Sequence, residues 1–580
     1  MANYIDFEYT GPRKAEPTGI RVWEQNYETR KVESKDYPID DYLYFYIDAI
    51  DMDKAETKFT SQRGTKVQRV EGEDYKNLKS GDAAKFYHGM GLNTYESDIE
   101  PIQKVMLDNY GKDNQKSTEW NLALYDIETD VKMEDSFMDM RENAHREINA
   151  ISVWYSKPNK FYNFTLVPPM LRDAWDFENI EKRGNFEILY FENEAEMLET
   201  FFEVTKQYET IALGAWNGDF FDTKYIFDRC KMLWGEKGAA ERMGRFNKVR
   251  KTKIMLGDKE EVLVRPVGMI WYDCLEAYKK NGPELESFAL NAVAEEELGT
   301  NKIEFEGTFE NLYHGTRKDR ARFEELTPKS KRINFIEKSK KLGESIIADL
   351  GLYEECKKKI ESDKNIDDHE KETRIQIAVS ERLEELLKMD EIKQDLGDKF
   401  EDFERFVVYK KLLDAYRLFI DYSNQDSQLL HDLEKKLDKF KTLMMLAQYN
   451  VSSFYDVFST LKQVEQGITN FAHLYNNKVV IDREYDKSKQ IYNKYIDREL
   501  LRIREANDYR IMPEDTPEVK RFKSLTSQPK IPGANVLLPS VGLVSYDEET
   551  TPPLAREFKK LKAELAEIDK LLEAFEEEED

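Results

Sequence analysis

The chain has 580 residues, too many for a single hydrophobic core, so we expect several domains. Hydrophobic residues make up 40% and aromatic residues 12% of the sequence, which excludes a wholly disordered chain despite 35% charged residues. The 88 Lys and Arg against 115 Asp and Glu give a formal net charge of −27. The overall charge therefore does not favour nucleic acid or anionic lipid, and any DNA binding must come from local basic patches.

Signals for secretion, membrane insertion and metal–sulfur sites are missing from the sequence. It has no run of 18 apolar residues, and its first residues, MANYIDFEYTGPRK, lack the apolar core of a signal peptide. We therefore expect an intracellular protein. Cys230, Cys274 and Cys356 lie far apart, as do the six histidines, which argues against a disulfide framework and a structural zinc site.

The first half of the chain predicts a β-rich region followed by a mixed α/β domain. Residues 1–115 alternate short β-like runs, such as YLYFYIDAI (42–50), with polar turns and contain no catalytic motif. From residue 119, predicted strands are NLALYDIE (121–128), INAISVWYS (148–156), FYNFTLV (161–167), TIALGAW (210–216) and GMIWYDC (268–274). Predicted helices are EAEMLETFFEVTKQY (194–208) and DTKYIFDRCKMLWG (222–235). Strands alternating with helices indicate a central sheet with helices on its faces.

The second half is predicted to be mainly helical. Residues 316–402 are rich in charge and predict a solvated helical insertion in a domain that resumes at 403–422. The helical pattern continues from 427 to 508, and prolines then mark a loop before the short apolar stretch VGLVSYD (541–547). A last predicted helix, after Pro553, ends in EEEED.

Two carboxylates on one predicted strand are the sharpest chemical signal. In NLALYDIETD, Asp126 and Glu128 share one face of the strand with Leu122 and Leu124. Burying two carboxylates side by side is unfavourable without a counter-charge, and a divalent metal ion is the simplest one. The alternative is a strand end that runs into solvent.

Two further acids complete a set of four. Asp222 lies in the first turn of a predicted helix, where the helix dipole alone would also favour an acid. Asp414, in YKKLLDAYRLF, lies beside an apolar helix face, where a hydrogen-bonded boundary residue is the ordinary alternative. Four carboxylates suffice for two Mg²⁺ or Mn²⁺ ions roughly 3.5–4 Å apart, an arrangement that hydrolyses phosphodiesters. Hard oxygen ligands suit these ions, and the scarcity of Cys and His disfavours zinc.

This ordered set resembles a known family. D-x-E on a strand, then W-N-x-x-x-F-D, then an Asp on a late helix is similar to the 3′→5′ proofreading exonuclease domain of family B DNA polymerases, above all those of T-even-type bacteriophages. The resemblance continues, in chain order, through segments that include the family's exonuclease β-hairpin. These segments are RMGRFNKVRKTKIMLGDKEEVLV (242–264), IWYDCLEAYKK (270–280), LDAYRL (413–418), VFSTLK (457–462) and IPGANV (531–536).

The resemblance implies an α/β and α+β multidomain fold in which a ribonuclease H-like exonuclease domain follows a β-rich N-terminal domain. The implied domains are an N-terminal domain (1–118), the exonuclease domain (119–425), a helical return to the N-terminal domain (426–540), the start of a palm strand (541–552) and an amphipathic partner-docking helix (553–580).

The resemblance also implies roles for individual residues. The implied catalytic and metal-binding residues are Asp126, Glu128, Asp222 and Asp414, which would remove mismatched 3′ nucleotides with two Mg²⁺ or Mn²⁺ ions. The implied DNA contacts are Asn217, Phe221, Arg245, Lys248, Arg250, Lys251 and Lys253, for which a solvated face is the alternative. The family's third motif is Y-x-x-x-D, whose tyrosine orients the attacking water. Here Lys410 stands four residues before Asp414, and Tyr409 is displaced by one.

The end of the resemblance implies a polymerase split into two polypeptides. LVSYD (543–547) resembles the palm strand that carries the first catalytic aspartate, which implies that Asp547 binds metal. EETTPPL follows it, and the sequence contains neither a K-x-x-x-N-S-x-Y-G fingers motif nor a D-T-D-S palm motif. The implied partners are primer-template DNA, a second chain carrying fingers, palm and thumb, and a sliding clamp, in the cytoplasm of an infected bacterium. A non-catalytic scaffold with a decayed nuclease and an autonomous 3′→5′ exonuclease are the alternatives.

The last predicted helix offers a way to hold a second chain. Its apolar residues are spaced three and four apart, as in a heptad stripe. They are Phe558, Leu561, Leu565, Ile568, Leu572 and Phe575. Such a helix is long enough to dock in a partner's groove, or it folds back on its own domain.

Overall fold

A computed structural model describes residues 2–11, 17–71, 86–87, 90–111, 119–132, 135–172, 179–256, 259–280, 282–300, 307–327, 332–361 and 368–480. Several predicted site residues lie outside the described residues. They are Asp547, Phe558, Leu561, Leu565, Ile568, Leu572 and Phe575.

Strands dominate the first half of the described chain. They are β1 Ala2–Thr10, β2 Gly19–Asn26, β3 Val32–Pro38, β4 Tyr44–Asp48, β5 Ala55–Ser61, β6 Lys66–Glu71, β7 Thr94–Tyr95, β8 Leu122–Thr129, β9 Ile148–Tyr155, β10 Lys160–Leu166, β11 Ile180–Arg183, β12 Phe186–Phe191, β13 Ala212–Ala215, β14 Val249–Leu256, β15 Lys259–Pro266, β16 Ile270–Asp273 and β17 Lys478–Val479.

Helices connect the later strands and make up most of the second half. They are α1 Pro101–Tyr110, α2 Phe137–Asn143, α3 Pro169–Arg172, α4 Glu194–Gln207, α5 Asp222–Met243, α6 Cys274–Lys279, α7 Leu290–Leu298, α8 Phe309–His314, α9 Arg317–Leu326, α10 Arg332–Asp349, α11 Leu352–Glu361, α12 Asp368–Leu387, α13 Asp390–Leu396, α14 Phe400–Leu437, α15 Lys439–Asn450 and α16 Thr460–Tyr475. Short 3₁₀ helices lie at Ile39–Tyr42, Met52–Lys54, Gly397–Lys399 and Phe454–Phe458. No helix among these described residues is long and apolar enough to cross a bilayer.

The N-terminal region is rich in β-structure, as predicted. β1, β2 and β3 form an antiparallel sheet, and a second sheet has the order β17-β5-β6-β4-β7. β17 comes from far along the chain and pairs in parallel with β5, Lys478 opposite Thr60. The hydroxyl of Tyr4 on β1 donates to the carbonyls of Ala447 and Ser452. Residues after α14 therefore pack back on the N-terminal region.

A seven-stranded sheet forms the centre of the α/β region, in the order β11-β12-β10-β9-β8-β13-β16. β8 is antiparallel to β9 and parallel to β13, so its two neighbours run in opposite directions. The five predicted strands and both predicted helices are confirmed; their ends shift by one or two residues, except that α5 continues past a kink at Gly235 to Met243. β11 and β12 were not predicted, although β12 (FEILYF) is a run of aromatic and aliphatic residues with one glutamate.

The charged segment 316–402 is helical, as predicted, but it is not only a solvated surface. α10 to α13 pack against α14 around a core of their own. Its buried residues are Leu352, Cys356, Ile375, Val379, Leu383, Leu386, Phe403, Phe406 and Val407. α14 has 38 residues and is about 57 Å long at 1.5 Å per residue. It runs without a break across the expected boundaries at 402 and 425.

Candidate metal centre

Asp126 and Glu128 lie near the carboxyl end of β8, on one face of the sheet. Leu122 and Leu124, earlier on the same face, are buried, whereas the two acids are half-buried. The alternation of side chains along a strand accounts for this arrangement, as the sequence predicted. The two carboxylates therefore project side by side from the central sheet at a place that solvent reaches.

A row of buried polar side chains fixes α14 against this face. Asp126 is opposite Ser152 on β9, and Ser152 is opposite Asn163 on β10, so the three side chains share a face. Ser152 Oγ donates to the carbonyl of Ser423 at 2.6 Å, and Asn163 Nδ2 donates to Asn424 Oδ1 at 2.8 Å. Because buried polar groups require such partners, these bonds set the rotation and register of α14 on the sheet.

This register brings Asp426 of α14 to the two carboxylates of β8. Asp126, Glu128 and Asp426 each offer a carboxylate oxygen, and these atoms all lie within 4.8 Å of one another. Asp426 is buried, at 5% exposure. Three oxygens at this spacing are the kind of donor set that holds a hard divalent cation.

The predicted ligand Asp414 is not part of this cluster, so that prediction is corrected. Asp414 precedes Asp426 by twelve residues on the same helix, a rise of about 18 Å. Its buried carboxylate accepts bonds from Lys410 Nζ at 2.9 and 3.1 Å and from the hydroxyl of Ser380. Lys410 thus neutralises Asp414 inside the protein and leaves no role for it at β8.

A sequence signal for Asp426 exists in the spacing Y-x-x-x-D. Tyr422 stands four residues before Asp426, in the segment YSNQD, whereas Lys410 stands four residues before Asp414. Tyr422 is half-buried, with its ring edge-on to Phe309 at 4.8 Å between centroids. Asp426, and not Asp414, is therefore the aspartate of α14 that has a tyrosine four residues before it.

Asp222, the other acid that was predicted on a helix, lies beside the cluster. It begins α5 and is 4% exposed, and the hydroxyl of the next residue, Thr223, lies 2.9 Å from the hydroxyl of Tyr125, which precedes Asp126 on β8. Burial raises the pKa of Asp222 to about 7, with further contributions from the charges of Asp273 and Asp426 and against the effect of its N–H bonds. A group of acids that disfavour one another's charge is a suitable environment for a cation.

Asn217 and Phe221, predicted DNA contacts, lie in the turn between β13 and α5. Asn217 has a left-handed backbone with φ of 60°, which Asn tolerates, and its N–H donates to Asp273 Oδ1 at 3.1 Å. Phe221 is half-buried and packs against Tyr225 at 5.4 Å between ring centroids. A role in DNA binding stays a prediction for both residues.

The predicted basic residues form ion pairs within the protein, and their contacts with DNA stay a prediction. Lys248 and Arg250, at the base of the β14–β15 hairpin, bind Glu8 at 2.5 and 2.6 Å, and Arg250 also binds Asp6 at 3.0 Å. The remaining pairs are Lys251–Glu236 at 2.8 Å, Lys253–Glu260 at 2.7 Å and Arg245–Glu209 at 3.9 Å. Lys248 and Arg250 therefore attach the hairpin to β1.

The donor set fits a hard divalent ion better than zinc. Asp126, Glu128 and Asp426 supply oxygens alone, and their cluster contains neither histidine nor cysteine. Since Asp126 and Glu128 are half-buried, a further ligand has access to the site, as at catalytic centres with divalent ions.

Comparison with known proteins finds a family that resembles part of the chain. Residues 91–293 match the family model described as DNA polymerase family B, exonuclease domain. This part of the chain is therefore similar to the exonuclease domain of family B DNA polymerases. Asp126, Glu128 and Asp222 lie within the matched residues of this exonuclease domain. Asp426 lies beyond them, so its place at the centre rests on geometry.

Two phage proteins resemble the same part of the chain. A DNA-directed DNA polymerase of Escherichia phage RB69 is 29% identical over 34% of this chain and 23% of its own length. A DNA-directed DNA polymerase of Enterobacteria phage T4 is 30% identical over 31% of this chain and 21% of its own length. The similarity thus spans less than a quarter of these relatives and centres on the exonuclease domain.

Proposed function

We propose that this chain is a metal-dependent 3′→5′ DNA exonuclease that removes mismatched 3′ nucleotides within a family B DNA polymerase. The proposal includes a ribonuclease H-like fold for the exonuclease domain. The observation that carries it is the meeting of Asp126, Glu128 and Asp426, with oxygens within 4.8 Å of one another, where Asp126 and Glu128 belong to the residues that match the family's exonuclease model.

The proposed site binds two Mg²⁺ or Mn²⁺ ions. Asp126, Glu128 and Asp426 would hold them, with Asp222 adjoining. When bound, such ions activate water and stabilise the leaving oxygen of a phosphodiester. The protein itself contributes the fixed carboxylates, the solvent-accessible face of β8, and Tyr422, one helical turn before Asp426, to orient the water.

Two aspartates of one helix provide a matched test. We expect Asp426→Asn to lower the rate of 3′ shortening of single-stranded DNA in Mg²⁺ at least 100-fold, because it removes a charged ligand. Asp414→Asn is the control, since Asp414 is bound to Lys410 elsewhere on α14. It should retain the rate at temperatures below its unfolding transition. Asp126→Ala should abolish shortening.

The opposite result would reject the site. If Asp414→Asn abolished the rate and Asp426→Asn did not, the cluster at β8 would have no catalytic role. Mn²⁺ binding, followed by electron paramagnetic resonance, gives a second measurement that does not depend on turnover. We expect wild-type protein to bind Mn²⁺ and Asp426→Asn to bind it more weakly.

We further propose that DNA synthesis requires a second polypeptide that carries fingers, palm and thumb, so that this chain is the N-terminal subunit of a split polymerase. The fingers and palm motifs are absent from the 580 residues. The proposed partners include primer-template DNA and a sliding clamp, and the proposed location is the cytoplasm of an infected bacterium. The stripe from Phe558 to Phe575 is the proposed contact with the second chain, and Asp547 a proposed metal ligand of the joint polymerase site.

Co-purification tests the split polymerase against an autonomous exonuclease. Affinity purification of this chain from its natural source should recover a second polypeptide with the missing motifs, and the pair should extend a primer. Recovery of this chain alone, with full exonuclease activity, would favour the autonomous enzyme. A decayed, non-catalytic scaffold loses its main support, because Tyr422 and Asp426 supply the Y-x-x-x-D spacing that is missing at Asp414.

A further inference from the structure

The turn that carries Asp222 is held first by Asp273, at the end of the neighbouring strand. This turn spans residues 216–221, between β13 and α5. Asp273 Oδ1 accepts the N–H of Asn217 at 3.1 Å, and Oδ2 accepts the N–H of Asp219 at 3.3 Å. The same carboxylate caps the first turn of α6. Two backbone amides of the turn are thereby tied to β16.

A second attachment comes from the hairpin. Both terminal nitrogens of Arg265, on β15, donate to the two carboxylate oxygens of Asp219, and both side chains are largely buried. The Arg265 guanidinium also lies 4.6 Å from the ring centroid of Tyr455, whose hydroxyl accepts the N–H of Trp271 at 3.0 Å. A paired planar fork of this kind fixes orientation as well as distance.

The first turn of α5, which follows this turn, contacts the strand of the metal centre. Thr223 comes directly after Asp222, and its hydroxyl lies 2.9 Å from the hydroxyl of Tyr125, with both side chains buried. Tyr125 directly precedes Asp126 on β8, so this bond holds the start of α5 against the strand that carries both acids. Contacts therefore run without interruption from the hairpin, through the turn, to β8.

We propose that Arg265 is a positioning residue that couples the β14–β15 hairpin to the metal centre through Asp219 and the first turn of α5. Its guanidinium contacts Asp219 and Tyr455 and acts on the centre through them. It fixes the turn so that Asp222 and Thr223 keep their positions beside β8. This inference rests on the proposed exonuclease function and adds to it a residue that lies on the hairpin.

The test combines Arg265→Lys, Asp219→Asn and the double variant in the full chain. Lysine keeps the charge but cannot form two parallel bonds to one carboxylate. We expect each single variant to lower kcat on a single-stranded oligonucleotide in Mg²⁺ at least tenfold, with KM within twofold. The double variant should be no slower than the singles, because both act through one contact.

Hydrogen–deuterium exchange supplies a measurement that does not depend on activity. Residues 215–222 should exchange faster in Arg265→Lys than in the wild type, since the turn loses one of its two attachments. Unchanged exchange in this peptide would overturn the proposal, and so would faster exchange with an unchanged kcat. If the wild-type protein proved inactive, the proposed function would fail, while the exchange data would still decide whether Arg265 holds the turn.

Arg229→Lys is the matched control. Arg229 is as buried as Arg265, at 7% against 9% exposure, and it also pairs with a carboxylate, that of Glu194. Its pair lies away from the turn, so we expect a similar fall in apparent Tm but a kcat within twofold of wild type. If both variants lost kcat in proportion to Tm, Arg265 would be a structural residue only.

Discussion

At the scale of single residues, the proposed role of Tyr422 can be tested by removing its hydroxyl. It stands one helical turn before Asp426 and is half-buried beside Phe309. If its hydroxyl orients the attacking water, Tyr422→Phe should lower kcat by roughly 10- to 100-fold, as misplaced reactants do, while Mn²⁺ binding stays unchanged. Single-turnover cleavage of a 3′-labelled oligonucleotide measures this effect.

Tyr409→Phe is the control for that experiment. Tyr409 is 2% exposed, packs against Phe323, and precedes Asp414 on the same helix. Removing its hydroxyl should leave kcat within twofold of wild type. A larger loss from Tyr409→Phe than from Tyr422→Phe would contradict the assignment of Tyr422 and Asp426 to the site.

Sequence periodicity alone does not distinguish Asp414 from Asp426 as the aspartate that reaches β8. Both acids lie on one helix and follow the exonuclease motifs in chain order, but Asp414 stands beside apolar residues, in LLDAY, whereas Asp426 stands among polar ones, in SNQDSQ. Periodicity shows that a helix is amphipathic, but it does not tell which turn of a 38-residue helix reaches a given strand. The tyrosine four residues before Asp426 was the local signal in favour of Asp426. Lys410, four residues before Asp414, was the local signal against Asp414.

At the scale of elements, α16 has its polar face inward. Leu461, Val464, Ile468 and Phe471 are exposed, while Asn470 is 5% exposed. Asn470 Nδ2 donates to the carbonyl of Tyr449 at 2.7 Å, in the last turn of α15, where helical carbonyls lack partners within the helix. These contacts, and not apolar burial, attach α16 to α15.

Replacing Asn470 should therefore cost more stability than replacing the apolar Ile468. We expect Asn470→Ala to lower the free energy of unfolding by about 0.5–1.5 kcal/mol, because the partly buried hydrogen bond to the Tyr449 carbonyl is lost. Ile468→Gln, at a position that is 56% exposed, should change it by less than about 0.5 kcal/mol. Thermal unfolding of the two variants compares them directly, and the reverse order would contradict this account of α16.

At the scale of the whole molecule, His473 links α16 to the N-terminal region. Its Nδ1 lies 3.4 Å from Glu96 and its Nε2 3.5 Å from Asp108. Burial opposes its charge, but the hydrogen bonds and charges of Asp108 and Glu96 prevail and raise the pKa of His473 to about 9. The folded protein therefore binds this proton more tightly than the unfolded chain, whose histidine has the ordinary pKa of about 6.5.

The pH dependence of stability follows from this difference. A raised pKa in the folded state stabilises the protein fully below pH 6.5, and the contribution is lost as pH rises through about 9. We expect this loss to reach about 3 kcal/mol. Apparent Tm should fall more between pH 6 and pH 9.5 in the wild type than in His473→Gln. Equal falls in the two proteins would show that His473 is not the group responsible.

The sequence alone determined the strands and helices around the site and the adjacency of Asp126 and Glu128, because these depend on local periodicity and on the two-residue repeat of a strand. The tertiary structure decided which acid of α14 joins them, because buried bonds from Ser152 and Asn163 set the register of that helix. It also decided which acids pair with the basic residues of the β14–β15 hairpin. Lys248 meets Glu8 across 240 residues of sequence, and no local pattern records such a partner.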